Sequence, residues 1–486
     1  MDRRLMIKGF AAFVAAMLML QANIQAQHAK RISETMAAVT SDKNCRHASI
    51  SMSVYNLTKD KLEYAYDADR FLIPASVMKV FSTAAGFEQL GKDFRFKTSV
   101  AYSGNISENG TLNGDIYIIG GGDPILGSYR YRQTSMDTVF KIWMKAVQKE
   151  GIKSVNGRVC YDASVFDDRQ LHDSWGWGDI GNYYGAGAVG LNFHENMYFA
   201  YFNSGKRENY PATLDKVLPK GIDVRAQNEV TTGAANSGDQ VVIYGMPSSS
   251  MRYYTGSVPL GKNGFKVRGS LPNPGKACAE LFSNYLKDNG INVVFHASSG
   301  SSDMKKVKVI FDYYSVPYYL ISQYTNMTSN NLYAESIFKY LGYKLYGKGN
   351  FENGAKAVFR FINDHGLDNT SLKIADGCGL SRNNLTTTRF LTEFLAAVYG
   401  TGFYSEFRKT LPQVGKSGTT KNLINNLPEG TRVSVKSGTM QDVKSFAGYA
   451  TRANGDELAF ALIINNCSAP KTDLLHKVEQ LLVSML

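Results

Sequence analysis

The sequence predicts a mixed α/β (α+β) fold in which an antiparallel sheet flanked by helices is interrupted by a large strand-rich insertion. Strand-like and helix-like segments occur near both ends of the chain, so the two ends can build one sheet together. Between them lie roughly 200 residues of mixed, strand-rich sequence, enough for one or two inserted domains. The length of 486 residues agrees with this organisation, because it exceeds that of one ordinary domain.

The N-terminus has the pattern of a secretory signal peptide. Arg3, Arg4 and Lys8 precede an apolar run over residues 10–20, and a short stretch ending in Ala26 follows. We expect cleavage after Ala26 and a soluble, exported protein in the periplasm or cell envelope. Because no cysteine lies near this site and no later apolar run is long enough to span a bilayer, neither a lipid anchor nor a transmembrane anchor is expected.

Composition excludes several classes of function. The net charge is +12, and residues 1–26 carry three basic and one acidic side chain, so their removal leaves about +10. Without a dense basic run or a nucleic-acid motif, we expect no nucleic-acid partner and read the charge as suited to an anionic envelope polymer or simply as a solvated surface. Five scattered cysteines and seven scattered histidines predict no metal site and no disulfide framework, although one or two disulfides stay open.

The elements follow from hydrophobic periodicity. A helix over residues 29–43 and strands over 48–57 and 62–66 lead to an apolar helix that begins near Pro74. The inserted region is predicted to contain strands over 96–102, 111–120, 157–162 and 291–296, helices over 136–149 and 276–288, and an aromatic, glycine-rich loop over 175–193. A strand over 307–313 and helices over 317–327, 332–346, 353–365, 386–399 and 405–411 follow. Strands over 432–435, 445–451 and 457–465 and a helix over 473–485 close the chain.

These elements divide the chain into three parts. Residues 1–26 are the signal peptide, residues 27–96 and 306–486 form an outer domain, and residues 97–305 form the inserted region, with two nested domains. Sizeable cores are expected in these units, since 44% of the residues are apolar and only 20% are charged.

Ser76 is the candidate nucleophile. Positions three apart share one face of a helix, so the Lys79 amine can point back at the Ser76 hydroxyl, and a desolvated lysine can serve as its base. Only this pair follows a proline and leads into a long, nearly uncharged helical run. The same spacing recurs at Ser302 and Lys305, Ser336 and Lys339, and Ser468 and Lys471. If the Ser76–Lys79 pattern is considered alone, an ordinary helix with an N-terminal serine explains it equally well.

A second short pattern, S-x-N, lies between two candidate helices. Its Ser329 hydroxyl can relay a proton, and its Asn331 amide can hold a substrate carbonyl. A plain helix cap is the alternative.

A third pattern, K-S-G-T, begins at Lys436, directly after the strand over residues 432–435. A lysine and hydroxyls at a sheet edge can take a carboxylate, and the glycine allows a close backbone approach that helps to complete an oxyanion hole. The same letters recur over residues 416–419, but no strand precedes them, so we regard that copy as incidental. Nucleotide binding is disfavoured as well, because Thr410 stands where a phosphate-binding loop needs glycine.

The order S-x-x-K, S-x-N and K-[ST]-G before a C-terminal hairpin resembles the signature of penicillin-binding proteins and serine β-lactamases. The long insertion between Ser76 and Ser329 is similar to that of the class C low-molecular-mass penicillin-binding proteins, the D-alanyl-D-alanine carboxypeptidase/endopeptidases of peptidase family S13. Runs over residues 121–124, 376–382 and 446–449 add to the likeness, which covers almost the whole mature chain.

Two positions depart from the family pattern. Ser437 stands where the family usually has threonine, and Cys378 stands where it usually has serine. The first keeps a hydroxyl and the second lies outside the three motifs, so neither departure argues for an inactive protein.

The resemblance implies a penicillin-binding-protein/β-lactamase-like transpeptidase domain with serine D,D-peptidase activity. Such an enzyme cleaves D-Ala-D-Ala termini or D-amino-acid cross-links of peptidoglycan through an acyl-enzyme, and β-lactam antibiotics acylate it as well. The expected partners are therefore peptidoglycan stem peptides and β-lactams, and no cofactor is expected.

The resemblance also implies a role for each candidate residue. Ser76 would attack the carbonyl with Lys79 as general base, and Asn331 would hold the acyl side chain. Ser329 with Lys436 would pass a proton to the leaving amine. The residues implied to bind substrate are Ser437, Gly438 and Thr439, around the terminal carboxylate, and Asp162, Arg382 and Met440, in a pocket for the diamino acid of the stem peptide.

Two other functions stay open at this point. A β-lactamase or esterase would use the same nucleophile, but the E-x-x-L-N setting of a deacylating glutamate is not found downstream of Asn331. A noncatalytic peptidoglycan-binding or scaffold protein would grip glycan with the aromatic-rich insertion, although the intact Ser76, Lys79, Ser329 and Lys436 weigh against it. The sequence favours neither carboxypeptidase nor endopeptidase action.

Overall fold

The computed structural model describes residues 27–299 and 307–486. The predicted signal peptide lies outside the described residues, as do Ser302 and Lys305. Within the described ranges, no helix combines the length and the apolar character needed to cross a bilayer.

Helices and strands alternate along the described chain. The helices are α1 (residues 27–41), α2 (Lys79–Leu90), α3 (Met136–Lys149), α4 (Pro274–Asp288), α5 (Tyr318–Thr328), α6 (Asn331–Tyr346), α7 (Phe351–Asp364), α8 (Thr388–Tyr399), α9 (Tyr404–Thr410) and α10 (Lys471–Ser484). The strands are β1 (Ser49–Asn56), β2 (Lys61–Tyr66), β3 (Lys97–Tyr102), β4 (Asn105–Ile106), β5 (Thr111–Asn113), β6 (Ile116–Ile119), β7 (Ser154–Val155), β8 (Val159–Asp162), β9 (Met197–Asn203), β10 (Thr213–Leu218), β11 (Arg225–Asn228), β12 (Thr231–Gly233), β13 (Val242–Tyr244), β14 (Met251–Thr255), β15 (Ser257–Pro259), β16 (Phe265–Ser270), β17 (Asn292–Val293), β18 (Ser298–Ser299), β19 (Lys308–Tyr314), β20 (Leu372–Lys373), β21 (Leu385–Thr386), β22 (Arg432–Met440), β23 (Val443–Thr451) and β24 (Glu457–Asn465).

The central sheet is antiparallel, with strand order β2-β1-β24-β23-β22. N-terminal β1 pairs with C-terminal β24 along its whole length, from Ser49 opposite Asn465 to Asn56 opposite Leu458. The prediction that the two chain ends build one sheet is therefore confirmed, and so is the predicted α/β (α+β) class.

Helices cover both faces of the central sheet. Along β24, Phe460 and Leu462 point into a core shared with α1 and α10, whereas Ala461 and Ile463 point into the core shared with α2, α6 and α8. A strand buried on both faces carries apolar side chains at every position, which explains the unbroken apolar run of β24.

The K-S-G-T motif lies inside β22, not after it. The predicted strand over residues 432–435 is too short, because pairing with β23 continues from Arg432 opposite Thr451 to Met440 opposite Val443. β22 is the edge strand of the sheet, as expected. The motif side chains are consequently held by a continuous ladder of backbone hydrogen bonds.

The inserted region begins with a sheet of order β18-β8-β6-β3-β19, which packs with α3 and α4 around Trp143 and Phe282. β19 pairs with β3, so it completes this sheet although it follows the predicted boundary at residue 306. The single strand predicted over residues 111–120 is two strands, β5 and β6, because Gly114 adopts a φ of 157° against the Ser103 carbonyl. The strand predicted over 291–296 is reduced to β17.

A second core lies within the insertion. β9 pairs with β10 and β16, β14 pairs with β11 and β13, and these strands enclose Tyr198, Phe202 and Tyr254. Helix α4 contributes to both cores, with Ala277 in this one and Phe282 in the other, and the division of the region into two nested domains stays a prediction.

Candidate active site

Ser76 lies in a 3₁₀ turn, Ala75–Met78, that leads directly into α2. An α-helix was expected here, but residues three apart also share a face in a 3₁₀ turn. Lys79 is the first residue of α2, and its Nζ donates a hydrogen bond of 2.9 Å to Ser76 Oγ. The structure thus places the candidate nucleophile against its candidate base.

The Lys79 amine is completely buried and has two further acceptors. It donates to Asn331 Oδ1 at 2.7 Å and to the Cys378 carbonyl at 2.6 Å. Burial lowers the pKa of Lys79, while nearby acidic groups, Asp376 and Glu335 among them, oppose that shift. With a neutral amine, the Asn331 and Cys378 contacts can hold the two N–H groups and leave the lone pair for the Ser76 proton.

A second buried lysine faces the second hydroxyl of the site. Lys436 Nζ donates to Ser329 Oγ at 2.9 Å and also to the Ser437 carbonyl. Burial, together with the charges of Lys79 and Lys444, lowers the pKa of Lys436 well below its ordinary value. Lys436 and Ser329 can together exchange a proton with a group bound in the cleft beside the Ser329 hydroxyl.

The S-x-N motif bridges two helices. Ser329 ends α5 in the left-handed conformation, with φ 58°, a strained backbone of the kind that persists at functional sites. Asn330 caps α6, its side chain accepting from the Tyr333 N–H, so the helix-cap alternative holds for the middle residue only. Asn331, in the first turn of α6, donates to the Tyr184 carbonyl at 2.8 Å.

Gly438 brings β22 against the nucleophile. A Cβ on Gly438 would lie 2.7 Å from the Pro74 carbonyl oxygen and 3.0 Å from the Ser76 nitrogen. Ser445 of the neighbouring strand binds the Pro74 carbonyl through its hydroxyl. A side chain at Gly438 would therefore push the sheet edge away from Ser76.

These residues meet in one cleft of about 760 Å³. The candidate residues that line it are Ser76, Ser329, Asn331, Arg382, Ser437, Thr439 and Met440. The Lys79 and Lys436 amines lie buried beneath it, in contact with Ser76 and Ser329. Arg382 is exposed, and its guanidinium donates to the carbonyl of Gln441, another residue that lines the cleft.

Asp162 is not brought to this cleft. It ends β8 in the inserted sheet, where its carboxylate accepts from the Ser164 N–H at 2.9 Å. The carboxylate that lines the cleft beside Arg382 and Met440 is Asp179, on the aromatic loop. The sequence predicts the aromatic, glycine-rich loop over residues 175–193 but contains no local signal that its Asp179 reaches the cleft.

Thr419 and Lys444 also line the cleft and were not predicted from the sequence. Thr419 belongs to the K-S-G-T copy that we regarded as incidental, yet its hydroxyl lies 2.7 Å from that of Ser437. Lys444, on β23, donates to Thr439 Oγ1 at 2.8 Å and also lines the cleft. Lys416, by contrast, is exposed and does not line it.

A buried acidic cluster holds the carbonyl that Lys79 binds. Asp376 accepts from the N–H groups of Gly379 and Ser381, and Glu335 accepts from the Cys378 N–H at 2.7 Å. Burial, with the charge of Asp376, raises the pKa of Glu335 to about 8. Glu335, Asp376 and Cys378 are close enough to hold a metal ion, but three of their four carboxylate oxygens already accept hydrogen bonds, so we read a positioning role.

Comparison with known proteins identifies the family. A family model described as D-Ala-D-Ala carboxypeptidase 3 (S13) matches residues 32–483. The chain belongs to the S13 family. This confirms the resemblance drawn from the motif order and makes the protein a member of a serine hydrolase family.

Individual relatives cover nearly the same length as this S13 chain. A D-alanyl-D-alanine carboxypeptidase of Actinomadura sp. is 28% identical over 90% of this chain and 81% of its own. The crystal structure of penicillin binding protein 4 (dacB) from Haemophilus influenzae has a TM-score of 0.79 at 22% identity, covering 93% of this chain and 97% of its own. A second structure of that protein, complexed with a novel β-lactam, has a TM-score of 0.74 at 20% identity, covering 93% and 98%.

Proposed function

We propose that this S13 protein is an exported serine D,D-peptidase that cleaves D-Ala-D-Ala termini, D-amino-acid cross-links of peptidoglycan, or both. The observation that carries the proposal is the 2.9 Å hydrogen bond from Lys79 Nζ to Ser76 Oγ, beside the equally short pair of Lys436 and Ser329. The name of the Actinomadura relative, a D-alanyl-D-alanine carboxypeptidase, supports the substrate class.

In the acylation step, Lys79 removes the proton from Ser76 Oγ as that oxygen attacks the carbonyl of the penultimate D-alanine. The reaction needs the neutral amine, which burial of Lys79 favours. The developing oxyanion lies near the backbone N–H groups of Ser76 and Thr439, which the close approach of Gly438 brings together.

The leaving amine needs a proton when its bond to the carbonyl breaks. Ser329 supplies it from its hydroxyl and is reprotonated by Lys436, whose Nζ lies 2.9 Å away. The left-handed backbone of Ser329 at the end of α5 aims the hydroxyl at this position. Water then hydrolyses the Ser76 ester and restores the free enzyme.

Recognition of the substrate uses both walls of the cleft. The terminal carboxylate is bound by the hydroxyls of Ser437, Thr439 and Thr419. The Lys444 amine donates to the Thr439 hydroxyl at 2.8 Å. Asn331 holds the acyl side of the peptide. Asp179, Arg382 and Met440, which line the same cleft, contact the stem peptide and replace the pocket expected to include Asp162.

Labelling with a fluorescent penicillin tests the proposal. A β-lactam resembles the D-Ala-D-Ala end and should acylate Ser76, as the β-lactam complex of the Haemophilus influenzae relative suggests. The wild type should be labelled and should release D-alanine from a pentapeptide, while Ser76→Ala loses both and Ser468→Ala keeps both. Persistent labelling of Ser76→Ala would show that another residue is the nucleophile.

A further inference from the structure

A row of three aromatic rings lines a groove in the nested domain. Trp177 and Tyr244 have ring centroids 6.1 Å apart at an interplanar angle of 28°, and Tyr244 and Tyr253 are 6.1 Å apart at 31°. The groove measures about 660 Å³, and Trp177 is 56% exposed, an unusual exposure for the largest apolar side chain. The row therefore presents a large flat surface to solvent.

The groove is rigidly supported from below. Arg252 is only 2% exposed, and its guanidinium donates to the Ser249 carbonyl at 2.6 Å and to the Met251 carbonyl at 2.9 Å. The Tyr253 hydroxyl is fixed by a hydrogen bond to Glu229. These contacts hold the backbone of Ser249 and Met251 and the Tyr253 ring in place before any ligand binds, which reduces the entropy cost of binding.

The groove and the catalytic cleft are lined by consecutive residues of one segment. Gly176 and Gly178 line the cleft, and Trp177, between them in sequence, lines the groove. The residues that line the two cavities are thus direct neighbours in sequence, with Cα atoms about 3.8 Å apart.

The loop that carries Trp177 is attached to both units. On the catalytic side, the Trp175 indole donates to Asp376 Oδ2 at 2.8 Å. On the nested side, Asn182 Oδ1 accepts from the Ile243 N–H, and the Ser270 N–H donates to the Gly181 carbonyl at 2.9 Å. A ligand on Trp177 is therefore held at a fixed position relative to the catalytic cleft.

We propose that this groove binds the glycan strand of peptidoglycan. Sugar rings have an apolar face that packs on aromatic rings and a polar rim that hydrogen-bonds with side chains such as Gln227, Ser249 and Thr255 beside the rings. The inference rests on the proposed function, because the stem peptide cleaved at Ser76 is covalently attached to that strand. A strand lying across Trp177 therefore delivers its own stem peptide to the neighbouring cleft.

The charge of the groove favours a glycan over other occupants. None of the described residues that line it is charged. An anionic membrane surface or a nucleic acid would need basic side chains there. The N-acetylated sugars of a strand whose lactyl groups are linked to peptide are neutral, and they match a neutral aromatic groove.

Calorimetry on the full chain tests the site directly. The probe is a tetrasaccharide of N-acetylglucosamine and N-acetylmuramic acid whose lactyl groups end in L-alanine amide, so it contains no bond that a D,D-peptidase cleaves. We expect saturable binding that Tyr244→Ala weakens about tenfold or more, the usual effect of truncating a central aromatic residue. Tyr244→Phe should keep the affinity, and so should the matched control Phe295→Ala, which removes a ring that is 49% exposed outside the groove.

A second variant covers the case in which Tyr244→Ala does not fold. Gln227 is exposed on β11, so Gln227→Ala should leave the fold intact and weaken binding about two- to tenfold, as for a lost hydrogen bond. Absence of binding by the wild type overturns the proposal, as does equal weakening by Phe295→Ala. Binding of anionic phospholipid vesicles instead of the tetrasaccharide overturns it too.

The test also separates this inference from the proposed function. If penicillin labelling and D-alanine release succeed but the tetrasaccharide does not bind, only the glycan site is wrong. If the tetrasaccharide binds with the expected variant effects while Ser76 is never acylated, the glycan site stands and the D,D-peptidase proposal fails.

Discussion

The hydroxyls of Thr419 and Ser437 lie 2.7 Å apart, so the two K-S-G-T copies of the sequence meet in one cleft. They contribute different groups. The copy on β22 supplies the buried Lys436 amine, whereas Lys416 of the other copy is exposed to solvent. The second copy therefore adds a hydroxyl to the site and no second lysine.

The two lysines should differ sharply in catalysis. Lys436→Ala removes the amine that contacts Ser329 and should slow acylation by orders of magnitude, because an interaction used in the transition state lowers the chemical barrier. Lys416→Ala should change the rate little. The measurement is the second-order rate constant for acylation by a fluorescent penicillin. Equal losses of rate in both variants would show that Lys436 is not the specific proton relay.

Thr419 should affect substrate binding more than the chemical step. Thr419→Ala removes the hydroxyl paired with Ser437 and should raise KM for a peptide ending in D-alanine about two- to tenfold, the range for one hydrogen bond. Steady-state kinetics of D-alanine release provide the measurement. Thr419→Ser keeps the hydroxyl and should restore KM, so failure of the serine variant to do so would contradict a carboxylate-binding role.

The sequence revealed the three motifs because each is local. Ser76 and Lys79 are three residues apart, so helical backbone geometry alone brings them to one face. Ser329 and Asn331 are only two residues apart, and both lie at the junction of α5 and α6. Thr419 was dismissed because no strand precedes it, but its hydroxyl reaches the site by packing onto a strand formed by other residues. Side-chain contacts of that kind depend on tertiary structure and leave no local pattern.

The distinction between local patterns and tertiary contacts also explains two wrong predictions, the short β22 and the placement of Asp162 in the substrate pocket. Pairing of the chain ends was predictable from apolar strands at both termini, since such strands need partners. The length of β22 was not, because the polar Lys436 and Ser437 end its apolar pattern while the ladder to β23 continues. Asp162 and Asp179 cannot be told apart by spacing, since only the path of the aromatic loop decides which carboxylate enters the cleft.

The pH dependence of acylation should reflect the ionisation of Lys79 and of its buried neighbours. The rate should rise with pH as Lys79 loses its proton, and burial, which lowers the pKa of Lys79, places this rise below the pH at which an ordinary lysine titrates. The pKa of Glu335 is itself raised to about 8, so its charge opposes the Lys79 shift only above about that pH, where the carboxyl ionises. Glu335→Gln removes this charge but keeps an acceptor for the Cys378 N–H, so the part of the rise above about pH 8 should move to lower pH.

The measurement is the acylation rate from pH 6 to 10, compared among the wild type, Glu335→Gln and the exposed control Glu352→Gln. The control should superimpose on the wild type. A shift of the Glu335→Gln profile to higher pH would contradict the assignment of Lys79 as the base.

The structure selects one cysteine pair for a disulfide, a choice that the sequence left open. The thiols of Cys45 and Cys467 are 3.4 Å apart, next to α1 and β24. In thiol–disulfide exchange with oxidised glutathione, each disulfide formed releases two molecules of reduced glutathione. Burial raises the pKa of Cys45 to about 12, so little thiolate exists at neutral pH and the exchange should be slow at pH 7 and faster at pH 9.

Intact mass after incubation with oxidised glutathione should show the loss of two hydrogen atoms, absent in Cys45→Ser and retained in Cys278→Ser. The cross-link joins the two ends of the central domain and should raise Tm, in line with a stabilisation of about 2–4 kcal/mol. A mixed glutathione adduct that never resolves would show that the two sulfurs do not meet in solution.

The lifetime of the acyl-enzyme should separate a penicillin target from a β-lactamase. Among the described residues that line the cleft, the carboxylate is that of Asp179, and no glutamate is present to activate a deacylating water. The penicilloyl ester on Ser76 should therefore persist, because its retained ring fills the space that D-alanine vacates when a peptide is cleaved. Peptide substrates should turn over normally, since water can enter after D-alanine leaves. Intact-protein mass spectrometry after brief exposure to benzylpenicillin should show an adduct that lasts many minutes, and rapid return to the free mass with hydrolysed penicillin in solution would instead establish β-lactamase activity.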